Sequence, residues 1–118
     1  MSPNSIVRLH DILANAQLAQ EFLGILTADE LANDVLRLYA LTRAVEIVGE
    51  AAANVDAADK ATAPALPWRQ MIDIRNRLIH GYQTVRPLVL HDTIRNHFPT
   101  LIEQIELILK ESLDANGR

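Results

Sequence analysis

The chain contains no cysteine, which removes disulfides, thiolate metal ligands and a thiol nucleophile in one step. That absence suits a reducing compartment. Aromatic residues are scarce, at 4% of the chain, so the core has to be built from Leu, Ile, Val and Ala. No apolar run approaches the ~18 residues that a membrane span requires. The start, Met1-Ser2-Pro3-Asn4, carries neither a basic cluster nor a following apolar stretch, so no signal peptide is visible. The expectation is a soluble, cytoplasmic protein with no membrane association. A length of 118 residues suits one domain, 1–118, with a substantial core.

Excess positive charge is also missing, since the formal net charge is −4. A general nucleic-acid binder is therefore not expected. The charge is unevenly placed, however. Residues 66–98 hold Arg69, Arg75, Arg77, Arg86 and Arg95 against Asp73 and Asp92, a balance of +3 that leaves −7 elsewhere. His80, His91 and His97 lie in the same stretch, and only His10 lies outside it. A basic segment on an acidic body suits a local phosphate site as well as it suits a solvated arginine-rich surface.

Apolar spacing is helical throughout, and nothing alternates as a strand would. Ile6, Leu9, Leu13, Ala16 and Phe22 predict a first helix over Ser5–Leu26, capped by Ser5 or Asn4. Thr27-Ala28-Asp29-Glu30 has capping-box spacing and predicts a second helix through Val35, Leu38, Leu41, Val45 and Val48 to about Asn54. Gly24 and Gly49, inside these patterns, read as points of close packing. Residues 56–67 read as a linker, and Pro67 suits the first turn of a third helix through Trp68, Met71, Ile74 and Leu78 that stops at Gly81. The last stretch, Leu88–Leu113, contains Pro99. There a break is expected, with a short helix near Leu90–Asn96 and a long one carrying Leu101, Ile105, Ile108 and Leu109. The sum is an all-α, antiparallel up-and-down four-helix bundle.

Within this frame the run Arg75-Asn76-Arg77-Leu78-Ile79-His80-Gly81-Tyr82 gathers chemistry. Cleaving RNA without a metal needs a base for the 2′-hydroxyl proton, an acid for the leaving oxygen and cations for the phosphorane charge. Histidine suits the proton transfers because its ordinary pKa is about 6.5. Arginine suits the charge because its planar fork binds phosphate oxygens in pairs. DNA lacks the attacking hydroxyl, so such a mechanism selects RNA by its chemistry. Arg75 and His80 are the candidate catalytic pair, with Asn76 and Arg77 as supporting phosphate contacts. Asn76 and His80, four apart, share a helix face. Arg75, five before His80, is about 140° away on an ideal helix. Either the helix loosens at its end, or two copies of the run meet across a symmetric interface.

The pattern Arg75-Asn76-x-x-x-His80 resembles the motif of HEPN domains, and the run through Tyr82 resembles their HepT toxin branch, which has Arg, four residues, His, one residue and Tyr. Residues 43–52, ending in Gly49-Glu50-Ala51-Ala52, are similar to that family's second-helix motif, and Pro67-Trp68-Arg69 stands ahead of the catalytic helix as it does there. The resemblance implies a four-helix-bundle ribonuclease toxin that forms a homodimer or larger homo-oligomer around a composite site. It implies a partner, an antitoxin nucleotidyltransferase of the MntA type that attaches AMP to the motif tyrosine, here Tyr82. An added phosphate and purine would obstruct a cationic site built for RNA. No cofactor is implied.

Plainer readings exist for each residue. His80 alone could serve only to cap a helix C-terminus, and Arg77 could pair with Asp73. Glu46 and Glu50 are four apart but lack the Glu-x-x-His partners of a di-metal bundle, so they read as arginine partners. His91 and His97 read as capping or solvent-facing, and Trp68 as core or interface. With so few aromatics, RNA affinity should come from charge more than stacking. The alternative functions are a non-catalytic HEPN binding module that associates with and is modified by a nucleotidyltransferase, and a generic oligomerising helical bundle.

Overall fold

A computed structural model of the protein describes residues 1–80 and 85–116, which form helices and their connections with no strand among them. The first helix, α1 (Pro3–Leu23), begins earlier than the apolar spacing indicated. Its cap is Ser2, whose hydroxyl accepts the Ser5 N–H at 3.1 Å, while Pro3 fills the first turn, where a missing donor costs nothing. Ser5, expected to cap, is instead fully buried and its hydroxyl accepts the Asp56 backbone N–H at 3.3 Å. The helix stops at Gly24, which adopts φ 54°, a left-handed region open to glycine. Gly24 is therefore a terminator and not a close-packing site: a Cβ there would meet only the Glu21 carbonyl oxygen, at 3.8 Å.

The capping box of Thr27 and Glu30 forms, with reciprocal bonds of 3.0 and 3.1 Å. It opens only a short helix, however, α2 (Ala28–Ala32), and not the long one expected. The long helix is α3 (Val35–Ala53), capped anew by Asp34, whose carboxylate accepts the Arg37 N–H at 3.0 Å. Asn33 and Asp34 are short polar side chains that compete for backbone groups, and such a pair breaks a helix that apolar spacing alone would continue. The linker likewise contains a helix the pattern did not reveal, α4 (Ala57–Ala61). Asp59 and Asp56 of this segment accept the Ser2 N–H at 3.1 Å and the Ser2 hydroxyl at 2.9 Å, which ties the chain start to it.

The next helix, α5 (Trp68–His80), follows Pro67, whose carbonyl accepts the Met71 N–H at 3.1 Å. Trp68 is half-buried against the core and donates its indole N–H to the Ala63 carbonyl at 3.0 Å. The final stretch comprises α6 (Pro87–Asp92), a π-helical turn (Thr93–His97) and α7 (Phe98–Asn116). The interruption expected near Pro99 takes the form of this turn, in which the Phe98 N–H reaches back five residues to the Thr93 carbonyl. The short helix covers 87–92 and not Leu90–Asn96. A proline ring crowds the carbonyl four residues earlier, and one widened turn relieves that crowding without separating two helices.

The long helices α1, α3, α5 and α7 form the bundle. Leu9, Ile12, Ala16 and Ala19 of α1 and Leu41, Val45, Val48 and Ala52 of α3 are almost wholly excluded from solvent. α7 packs against α1, and α5 leans on α3. The core is aliphatic, as the composition required, with Phe98 its one fully buried aromatic among the described residues. Among those residues no helix is long and apolar enough to cross a membrane.

Candidate functional site

Helix α5 buries little: only Met71 and Leu78 are buried, with Trp68, Ile72 and Ile74 packed half-exposed against the core. Its one close neighbour among the long helices is α3. The rest of its surface carries Arg69, Asp73, Arg77 and His80, all exposed, and the half-buried Arg75 and Asn76. A helix held on one side presents its polar residues on the other.

Arg75 is the most constrained of these. Its stem lies on the backbone of α3 at Gly49, where a Cβ would collide with the Cβ of Arg75 and come within 2.5 Å of the Met71 carbonyl oxygen. Its Nη1 donates to the Asn76 side-chain oxygen at 2.7 Å. Its Nε is buried and has no hydrogen-bond partner, an arrangement that costs free energy until a partner arrives. Arg75 and Asn76 are thus brought together.

Arg75 and His80 are not. The backbone stays α-helical to His80, so the loosening that would aim both at one phosphate does not occur before that residue. They point about 140° apart around α5. Asn76 and His80 share a face, as expected, and Arg77 is exposed on the last turn. Gly81 and Tyr82 lie outside the described residues.

Glu46 and Glu50 are arginine partners, as expected: Arg43 Nη1 contacts their carboxylates at 2.7 and 3.4 Å. Beside them a groove of about 460 Å³ opens between α3, α5 and α6, with Tyr39, Thr42, Arg43 and Leu78 among its walls. Tyr39 is 76% exposed, so one of the few aromatic rings stands in solvent next to the run. The sequence carried no sign of this, because Tyr39 sits amid the apolar spacing of its helix.

The basic stretch divides by role. Arg95 Nη2 donates to the carbonyls of Gly24 and Leu26 at 2.8 and 3.2 Å, and His91 Nε2 lies 2.9 Å from the Leu26 carbonyl. Both side chains reach backbone carbonyls of the turn that follows α1. His97 sits 3.3 Å from Asp92. A hydrogen bond from Asn96, then the neighbouring His97, hold the Asp92 carboxyl below the usual aspartate range. Three of the five arginines of this stretch, Arg69, Arg75 and Arg77, stand on α5. Among the described residues no three His, Asp or Glu side chains cluster as a metal site would require.

Known proteins add an independent line. The family model described as ribonuclease HepT-like matches residues 12–108, a span that includes the whole Arg75–Tyr82 run. A chain from Thermococcus cleftensis named as a probable ribonuclease HepT is 34% identical over 86% of this chain and 93% of its own length. Another from Methanocaldococcus jannaschii, provisionally named RNase MJ1380, is 31% identical over 85% of this chain and 92% of its own. No solved structure gives a significant match. Both the extent of the family match and the near full-length coverage of these relatives lead to one conclusion: the chain belongs to the HepT-like ribonuclease family.

Proposed function

We propose that the protein is a metal-independent endoribonuclease toxin whose working site is assembled from two copies of α5. The observation that carries this reading is the unbroken helical path between Arg75 and His80. A phosphate gripped by one chain's Arg75 then meets the His80 of a second copy. Exposed apolar side chains on the same two helices, Leu36 and Tyr39 of α3 and Ile79 of α5, suit a face that a second copy covers. The 2′-oxygen attacks phosphorus, the 5′-oxygen leaves, and a 2′,3′-cyclic phosphate remains. His80 moves the protons, Arg75 holds the phosphorane charge, and Asn76 and Arg77 support it.

The names of the relatives support RNA as the substrate. The partner in this reading is a MntA-type nucleotidyltransferase, the antitoxin. The Tyr82 phenol oxygen attacks the α-phosphorus of ATP, pyrophosphate leaves, and the bound AMP silences the nuclease. The cytoplasm is the compartment that fits an RNA substrate.

Incubation of the purified protein with RNA and EDTA tests the reaction. Cleavage is expected to persist and to end in 2′,3′-cyclic phosphate; a His80→Ala variant that cuts as fast as the wild type would remove His80 from the chemistry. Addition of the nucleotidyltransferase and ATP should raise the mass by AMP units on Tyr82. AMP transfer to a protein that never cuts RNA would favour the non-catalytic binding module instead.

A further inference from the structure

We propose that Gly49 of α3 is a positioning residue for Arg75: its missing side chain lets the α3 backbone clasp the arginine stem and sets where the guanidinium emerges. The inference rests on the reading of Arg75 as the phosphate-holding residue. Glycine in a helix interior costs about 0.5–1 kcal/mol relative to alanine, so its presence in α3 needs a local reason. That reason is the α3–α5 contact. The nearest atoms to a Cβ at Gly49 are the Arg75 Cβ, the Met71 carbonyl oxygen at 2.5 Å and the Arg75 Cγ at 2.9 Å. Two of the three belong to Arg75, and the Met71 oxygen is backbone of α5, which cannot swing aside as a flexible side-chain tip would.

The clasp explains two further features. With its stem pinned, Arg75 has its Nε shut away from solvent without a partner. Its Nη1 is left in reach of the Asn76 oxygen at 2.7 Å. A methyl group at residue 49 has to push α5 outward, and the guanidinium moves with the helix that carries it. A displacement of about 1 Å in a charge-holding group costs on the order of a hundredfold in rate.

The test compares wild type, Gly49→Ala, Arg75→Ala and the double variant. Each is examined for RNA cleavage and for binding of a labelled 2′-O-methyl RNA, which cannot be cut, across a salt series. Gly49→Ala is expected to lower kcat about a hundredfold. It should also reduce the slope of log affinity against log salt by about 0.7, the share of one phosphate contact on a single strand. Arg75→Ala should show the same loss of slope, and the double variant no more. Ala16→Gly, in the α1 core, serves as a control that destabilises without touching the α3–α5 contact, and it should keep the wild-type slope. A folded Gly49→Ala with wild-type slope and rate overturns the proposal, and so does a double variant that loses a further increment. If Arg75→Ala itself changes neither slope nor cleavage, the functional reading of Arg75 fails, which is a separate outcome. If Gly49→Ala does not fold in plain buffer, it and its pair with Arg75→Gly are both titrated with an osmolyte that favours the compact state. Loss of the Arg75 Cβ should lower the osmolyte needed even though the Met71 contact at 2.5 Å remains, and a pair that needs as much as Gly49→Ala alone overturns the role assigned to Arg75.

Discussion

Arg75 and His80 stand in opposite surroundings, and their substitutions should behave accordingly. His80 is exposed at the end of α5, so His80→Ala should leave thermal stability within about 0.5 kcal/mol of wild type. Cleavage should fall about 10²- to 10⁴-fold, the range of a lost general acid or base. Arg75 is held by Gly49 and Asn76. Arg75→Lys keeps the charge but loses the planar fork and its bond to Asn76, and a drop of about tenfold or more in cleavage is expected. Equal rates for lysine and arginine would mean that only a point charge is needed. Asp59 offers a test by pH. Hydrogen bonds from the Ser5 hydroxyl and the Ser2 backbone N–H hold its carboxyl below the usual aspartate range. A depressed folded-state pKa stabilises above the unfolded aspartate pKa, and that contribution disappears as pH falls through the folded value. The difference in melting temperature between wild type and Asp59→Asn should therefore be present at neutral pH and vanish in acid; a difference that persists unchanged would exclude this linkage.

Helix boundaries followed local chemistry where that chemistry was conspicuous. The Thr27–Glu30 capping box formed, and the third helix appeared where Pro67 and the spacing of Met71, Ile74 and Leu78 put it. The break at Asn33-Asp34 was missed because Val35, Leu38 and Leu41 continue the apolar period across it, so periodicity registers no gap. Asp34 now reads as the cap of the helix that carries Gly49. Asp34→Ala should cost about 1 kcal/mol in urea unfolding, and Thr27→Ala should cost less because α2 is short and exposed. If the two costs are equal, Asp34 has no special role in starting α3. The turn at Thr93–His97 shows the reverse case: Pro99 was conspicuous, but its crowding resolves as a widened turn that touches α1 and not as a break between helices.

At the scale of the whole molecule, α5 leans on α3 from one side and leaves its polar face open. A second copy of the chain fits that open face if the active unit is composite. Mixing Arg75→Ala with His80→Ala protein then rebuilds one intact site in each mixed dimer. With random exchange, half of the dimers are mixed and each has one site of two, so about a quarter of wild-type activity should return. No recovery, in a mixture shown by native mass spectrometry to have exchanged, would place both residues in a single chain's site. Sedimentation should also find a dimer at working concentration.

The sequence by itself determined the helical class, the aliphatic core and the compact run of arginine, asparagine and histidine on one helix, because these follow from apolar period, composition and short spacing. The family resemblance was legible for the same reason, resting on contiguous residues. Only the tertiary structure decided that Arg95 and His91 serve backbone carbonyls, since those lie about seventy and sixty-five residues away in sequence. It also decided that Gly24 ends a helix while Gly49 receives Arg75. Two glycines in similar helical patterns differ only in what stands opposite them, and that is a property of packing between distant segments.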